Sequence, residues 1–480
     1  MTASALFTDF YELTMAQGYW KRGTNEVSVF DMFFRRNPFS GGYSVFAGLA
    51  PLLEAVTEFR FSPEDIEWLR GLGQFEKGFL DYLADFRFTG DLWAMDEGTI
   101  AFPNEPLIRV HAPVIEAIII EGMLLNIVNF QSLIATKSAR VWLASNRGKV
   151  LEFGLRRAQG WDGAMSASRA AYIGGASGTS NALAGKVYGI PVMGTMAHSW
   201  IMSFPDEEAA FDAYAELYPD KSVFLIDTYD TLGSGIHAAV AAGKRLALKG
   251  KSFGVRLDSG DIQYLSGKVR EELDRAGFTE ATITVSNELT EEIIESLMLN
   301  KAPIDWWGVG THLVTGGDEA SFTGVYKLAA RPDGKGGLEP TMKLSDNPDK
   351  TTNPGVKQVW RLYHEDGTFK ADVLALEGET VKPGQERRFY HPSIDHMNFS
   401  FSPAKAEPLL KKRLSGGAVC PNCHGKDGPV HLAETRTRVR EGLERLDRSY
   451  RRILNPHIYK VALTSELRKI KRDFLKIYEK

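Results

Sequence analysis

The sequence predicts an α/β fold built on a parallel sheet, closed into a barrel or doubly wound. Two patterns and the size of the chain predict it. From Val150 onward, strand-like runs at Val150–Phe153, Pro191–Gly194, Val223–Ile226, Phe253–Leu257, Thr282–Val285 and Asp305–Val309 alternate with helical stretches. Those stretches cover about Gly163–Gly174, Ser180–Tyr188, Asp206–Leu217, Thr231–Ala242, Asp261–Ala276 and Thr290–Leu299. Repeated βα units imply parallel strands. Several runs also end in polar or Gly-rich residues, as in GTMAHS, LIDTYD, VRLDSGD and WWGVGT. In a parallel barrel such ends gather on one face, where active sites lie. Finally, 480 residues leave room for two or three domains and a large core.

The elements before Val150 are of another kind. Thr8 is placed as the N-cap of a helix through Trp20. Val27–Phe34 is β-rich and apolar, and a Gly41–Gly42 turn precedes a helix near Phe46–Phe59. Ser62-Pro63-Glu64-Asp65 supplies an N-cap, an N1 proline and an acidic first turn, so another helix starts there. Gly90–His111 carries short β-like runs between turn residues, and Pro113 opens a helical pattern reaching about Ser145. After Gly316 the pattern is again β-like at Gly324–Ala329, Val356–Leu362 and Ala371–Leu376, strands that could return to the N-terminal layer. The expected domains are residues 1–145, residues 146–319 as the barrel, and residues 320–480 as return strands, linker and helical C-terminal region. Lys411–Gly428 reads as a linker or exposed loop. Leu432–Lys480 reads as a solvated amphipathic helix pair, since charges of both signs interleave and a nucleic-acid role is disfavoured. No repeat of solenoid period is seen.

Composition narrows the class. The chain is 43% hydrophobic and 25% charged, as soluble globular proteins are. A formal net charge of −4 argues against wholesale nucleic-acid binding. The N-terminus lacks a basic region and an apolar core, so no signal peptide is expected. Val114–Val128, the most apolar stretch, is broken by Glu116 and Glu121 and is too short to span a bilayer. Two cysteines offer no disulfide framework, and a cytoplasmic enzyme is expected.

The strand ends carry the chemistry. Alone, His198 would be a core histidine satisfied by hydrogen bonds. Following a strand, beside Ser199 and three residues after Thr195, it becomes a candidate nucleophile or base. Asp227, at the end of the next strand, is the candidate carboxylate that would fix its tautomer. Arg256-Leu257-Asp258-Ser259-Gly260-Asp261 places an arginine and two carboxylates at one strand-to-helix junction. Taken singly, Asp258 or Asp261 reads as a helix cap, but together the three suit an anion, ribose hydroxyls or Mg²⁺. Gly308, Gly310 and Thr311, with Gly316-Gly317 beyond, resemble a backbone nest for a phosphate. Gly174–Asn181 has a similar character and would otherwise be a plain βα loop. Cys420-Pro421-Asn422-Cys423-His424 matches a haem-attachment string and half a zinc site. Export is not indicated and zinc would need His424 and His431 as further ligands, so an adventitious loop is favoured.

With these residues in hand, the chain resembles the nicotinate phosphoribosyltransferases, type II phosphoribosyltransferases of NAD synthesis. The strings TDFYELTM, LEFGLRRAQG, GTMAHS, IDTYD, VRLDSGD and WGVGT occur in family order, from Thr8 to beyond Gly317. The Lys411–Gly428 stretch with its CPNCH departs from the pattern. The resemblance implies an irregular parallel β/α barrel, a flattened N-terminal α/β domain, a helical C-terminal extension, and a homodimer with shared active sites. It implies a reaction of nicotinate with phosphoribosyl pyrophosphate, giving nicotinate mononucleotide and pyrophosphate. Mg²⁺ would serve as cofactor and ATP as co-substrate, hydrolysed through a phosphohistidine.

By the same resemblance His198 would be phosphorylated with Asp227 orienting it. Tyr11 from the neighbouring subunit and Phe153 would sandwich the pyridine ring. Thr195 and Arg256 would contact nicotinate, Asp258 the ribose, and Gly308, Gly310 and Thr311 the 5′-phosphate. Arg140 and Arg156 would face the pyrophosphate or the carboxylate. Related nicotinamide enzymes carry Gly-Thr-Asp where this chain has Gly178-Thr179-Ser180, so Ser180 would favour the acid over the amide. Quinolinate, with a second carboxylate, would call for more basic residues. Two other readings stay open: a nicotinamide-using relative, and a non-catalytic homologue that binds pyridine or phosphoribosyl ligands as a sensor or scaffold. A sensor needs no phosphorylatable histidine, so the His198, Asp227 and Arg256-Asp258 set argues against the second.

Overall fold

The computed structural model describes residues 4–345, 347, 350–394, 396–421 and 429–478. The chain divides into two units, one of Met1–Thr136 with Ser321–Lys480, the other Lys137–Ala320.

In the first unit, Val27–Phe34 lies inside a seven-stranded sheet, antiparallel to Gly324–Pro332 on one side and to Ile108–Pro113 on the other. All of its residues except Val27 are buried, which accounts for its unbroken apolar run. The first helix is Phe10–Arg22, and its N-cap is Asp9 rather than Thr8. Ser62 and Asp65 form the expected capping box at the start of Pro63–Gly71. A helix at Lys77–Ala84 was not anticipated.

Gly324–Pro332 returns to the N-terminal layer, but Lys357–Tyr363 and Phe369–Leu376 pair with each other in a second, six-stranded sheet. Their register is pinned by a buried ion pair between directly opposed residues. Arg361 Nε and Nη2 donate to the two carboxylate oxygens of Asp372 at 2.9 and 2.6 Å. A one-residue slip would leave both charges buried and unpaired.

Two further expectations need correction in this unit. Lys411–Gly428 is not simply a loop: Lys411–Ser415 and Ala418–Val419 form a hairpin that extends the first sheet beside Asp91–Ala94. Leu414 is its buried anchor, and Lys412 and Arg413 pair with Asp91 and Asp96. The C-terminal region is also more than a helix pair, since strand Val461–Leu463 of the second sheet separates Pro429–Arg445 from Ser465–Tyr478. The apolar pattern opened by Pro113 continues as helix Val114–Ala144, interrupted at Ile120. By length and composition it could cross a membrane, beyond what Val114–Val128 suggested, yet 61% of its most apolar window is buried within the protein.

The second unit is an irregular parallel β/α barrel. Its strands run in the order Gly178–Thr179, Lys149–Glu152, Trp306–Val309, Thr282–Val285, Gly254–Leu257 and Val223–Leu225, and all the ladders are parallel. A parallel bridge from Thr179 to Val192 adds the Pro191–Gly194 segment. The strands are short and parallel, and helices connect them, so every strand end points to the same face.

Candidate active site

That face holds a cavity of about 440 Å³, a size suited to a small ligand. Arg256, near the end of Gly254–Leu257, is its organising residue. Its Nε donates to Ser286 Oγ at 2.8 Å, Nη1 to Thr195 Oγ1 at 3.0 Å, and Nη2 to Asp258 Oδ1 at 2.9 Å. The guanidinium carbon also stands 5.4 Å from the ring centroid of Phe153. Ser286 in turn donates to Asp258 Oδ1, closing a network that holds the arginine's plane fixed.

Phe153 sits where Lys149–Glu152 ends, its backbone N–H bonded to the Val309 carbonyl at 2.9 Å. Gly308 lies beneath it: a Cβ there would meet the Phe153 ring at 2.7 Å, so only glycine leaves the ring in place. Gly310 and Thr311, which opens the short helix Thr311–Thr315, complete that wall. On the opposite side, strand alternation separates two neighbours. Thr179 turns inward and donates its hydroxyl to buried Glu152 at 2.5 Å, whereas Ser180 lines the cavity.

His198 opens the short helix His198–Met202, with its side chain 40% exposed to the cavity. Its Nδ1 is 3.0 Å from Thr228 Oγ1 and its Nε2 is 3.7 Å from Asp258 Oδ2. The expected His198–Asp227 pairing is therefore not made in this structure. Asp227 Oδ2 accepts from the Asp258 backbone N–H at 3.0 Å and from Ser259 Oγ at 2.5 Å, bracing the loop after Arg256. The adjacent Thr228 takes the imidazole instead.

Among the expected site residues, Tyr11, Arg140 and Asp227 do not line the cavity; the other ten do. Tyr11 belongs to the first unit, on helix Phe10–Arg22, and is 51% exposed. Arg140 is buried, with Nε donating to Glu291 Oε1 at 2.7 Å, while Lys137 Nζ stands 2.5 Å from Oε2. Its expected role at the pyrophosphate or carboxylate is thus not seen: the cation is committed to a buried triad, because neither charge could be left alone away from water.

That triad gives a stability prediction. Burial works to raise the Glu291 pKa, but Lys137 and Arg140 outweigh it and hold the carboxyl below its ordinary 4.5. A depressed folded-state pKa contributes stability above the unfolded value, lost as pH falls through the folded one. Glu291→Gln is expected to cost about 3 kcal/mol at neutral pH by leaving two buried cations without a counter-charge. Denaturant unfolding should show the gap from wild type narrowing below pH ~4.5. A gap independent of pH would remove the ionised triad from the account.

Sequence reasoning missed Arg157, Ser286, Asn287 and Glu288 on the cavity wall. The last three follow strand Thr282–Val285, and the strand-end rule would have found them. Asn287 holds φ at 109°, a strained value for a non-glycine residue. Glu288 pairs with His312 at 3.2 Å.

Asp227 and Asp258 are carboxylates of the kind that hold Mg²⁺. Asp227 Oδ1 is buried with no hydrogen-bond partner, and Asp258 borders the cavity. No group of three metal-binding side chains occurs among the described residues. Mg²⁺ bound through one or two carboxylates and substrate oxygens requires none. Of the CPNCH motif, Asn422, Cys423 and His424 lie outside the described residues, while His431 Nε2 is 2.8 Å from Glu97.

The whole chain has close counterparts. Residues 6–129 match the nicotinate phosphoribosyltransferase N-terminal domain, residues 148–328 the nicotinate phosphoribosyltransferase family, and residues 356–471 the corresponding C-terminal domain. A Bacillus subtilis nicotinate phosphoribosyltransferase is 42% identical over 96% of this chain and 93% of its own length. One from Mycobacterium tuberculosis is 46% identical over 79% and 80%. The crystal structure of human nicotinic acid phosphoribosyltransferase superposes with a TM-score of 0.83 at 30% identity, covering 97% of this chain and 99% of that one. With the barrel face assembled as described and matches extending over nearly all of its length, this chain belongs to the nicotinate phosphoribosyltransferase family.

Proposed function

We propose that the chain joins nicotinate to C1 of phosphoribosyl pyrophosphate, releasing pyrophosphate, as an ATP-hydrolysing, ligase-type enzyme of NAD synthesis. It acts as a cytoplasmic homodimer through a phosphohistidine at His198. The observation that carries the reading is Arg256, held by Ser286, Thr195 and Asp258 beside the Phe153 ring. A guanidinium next to an aromatic face is a receptor for a flat ring bearing a carboxylate.

Phe153 stacks the pyridine ring while Arg256 and Thr195 take its carboxylate, aiming the ring nitrogen at C1. Ser180 offers a hydroxyl to the same substituent. Asp258 accepts from the ribose hydroxyls, and the Gly308, Gly310 and Thr311 wall receives the 5′-phosphate. As the C1–O bond breaks, negative charge grows on pyrophosphate, and Arg156 with Arg157 offsets it. Asp227 and Asp258, together with substrate oxygens, would hold Mg²⁺, which would supply further positive charge toward that leaving group. Tyr11 of the neighbouring subunit covers the second face of the ring.

ATP coupling runs through His198. The ring nitrogen left free by Thr228 attacks the γ-phosphorus of ATP, the bond to the β,γ-bridging oxygen breaks and ADP leaves. Until water hydrolyses the phosphohistidine, its charge beside the pyrophosphate site changes substrate and product affinity. His198→Ala is expected to fold normally and keep slow, uncoupled transfer while losing ATP hydrolysis and ATP stimulation. Incubation with γ-labelled ATP should place acid-labile phosphate on the wild type alone. Equal labelling of the variant would remove His198 from the mechanism.

The shared site has its own test. Tyr11→Ala and Arg256→Ala homodimers should each be inactive, and mixing them should restore activity, because one site in each heterodimer holds both intact residues. With subunit exchange verified, no recovery would mean that each chain builds its site alone.

A further inference from the structure

The basic C-terminal region has a feature that the transferase reading does not use. Helix Ser465–Tyr478 places Arg468, Lys471, Arg472 and Lys476 on one face, at spacings of three, four and eight residues. All four line a cavity of about 200 Å³ with His391 and Ser393, and no carboxylate lies among the described residues that line it. Leu463 and Leu475 supply an apolar wall.

Basic residues near a helix C-terminus commonly serve the helix dipole, which would suffice for exposed Arg472 and Lys476. It does not explain Lys471, which is only 5% exposed and donates to Asn353 Oδ1 at 2.8 Å. Burial, and then the neighbouring buried Lys357, push its amine down to about 8. Lys357 is compensated by buried Asp31 at 2.7 Å, so an anion entering the cavity would answer the charge of Lys471. His391 adds a donor. Its Nδ1 accepts from the backbone N–H groups of Ser393 and Ile394, which leaves the ring's hydrogen on Nε2. Arg468 is steadied over the Tyr390 ring at 4.2 Å.

We propose that this cavity binds the phosphate groups of a small oligophosphate, inorganic or nucleoside. Its lining residues all belong to the first unit, and those of the candidate active site all belong to the second. Several cations converging on so small a space suit a compact, multiply charged anion. A nucleic-acid backbone or a lipid surface would engage the exposed charges and leave buried Lys471 out of reach.

Lysine acetylation followed by mass spectrometry tests the site on the full chain, independently of turnover. Exposed Lys469 lies on the same helix and does not line the cavity, so it is the internal control. Millimolar pyrophosphate or tripolyphosphate should slow acetylation of Lys476 several-fold and leave Lys469 unchanged. Arg472→Glu, an exposed change that leaves the core intact, should abolish that protection. Arg256→Ala should keep it, which separates this site from the active site. Protection by a nucleoside triphosphate at lower concentration than tripolyphosphate would assign the apolar wall to a base, and equal protection would assign the site to inorganic phosphates. The proposal is overturned by absent protection, by protection shared with Lys469, by protection surviving Arg472→Glu, or by protection from an oligonucleotide alone.

Discussion

Arg256→Ala is expected to lower kcat/KM for nicotinate by roughly a thousandfold, with little change in thermal unfolding. The arginine's three hydrogen-bond partners are all on the cavity wall, and its side chain is the group that can meet a carboxylate beside the Phe153 ring. Truncation removes that charge and also releases Thr195 and Asp258 from a common donor. Ser286 and Asp258 still bond each other, so the wall need not collapse. Arg256→Lys discriminates charge from geometry. An ammonium restores the charge but cannot serve three partners in one plane, so recovery should be partial. Steady-state kinetics on the three proteins, with unfolding midpoints beside them, decide the matter. A loss under tenfold for the alanine variant would mean that another cation recognises nicotinate. Full activity in the lysine variant would reduce Arg256 to a point charge.

How much of this was legible in the sequence depends on whether a residue's role is set locally. Arg256, Asp258 and His198 were found because each stands where an apolar run gives way to polar residues, and a parallel barrel turns all such ends to one face. The same rule, applied to Thr282–Val285, would have produced Ser286, Asn287 and Glu288. The His198 partner was not legible. Asp227 and Thr228 are adjacent, and successive residues leaving a strand point opposite ways, so only the folded structure shows which reaches the ring. Arg140 was misplaced for a different reason. Its counter-charge, Glu291, lies 151 residues away, and no local pattern reveals that pairing. In the first unit, Lys411–Ser415 looked like a loop because its charges mask a strand. The lysines are paired to Asp91 and Asp96, and a single leucine marks the buried side.

Selectivity turns on Ser180. Its neighbour Thr179 is fixed to Glu152, and the strand geometry leaves Ser180 facing the cavity that Arg256 also lines. Wild type should therefore prefer nicotinate to nicotinamide, since the amide forfeits charge-assisted hydrogen bonds of roughly 1.5–3 kcal/mol each. Ser180→Asp puts a carboxylate where the substrate's own carboxylate must lie, and two like charges in a confined site repel. Nicotinate should weaken strongly, whereas nicotinamide should be affected less or gain an acceptor for its N–H. The ratio of the two kcat/KM values should fall by about tenfold or more. The variant need not become an efficient nicotinamide enzyme, because Arg256 and Thr195 remain matched to the acid. Both substrates must be measured on both proteins at saturating phosphoribosyl pyrophosphate, so that ring binding alone is compared. An unchanged ratio would show that Ser180 does not meet the pyridine substituent and would leave discrimination to Arg256 and Thr195.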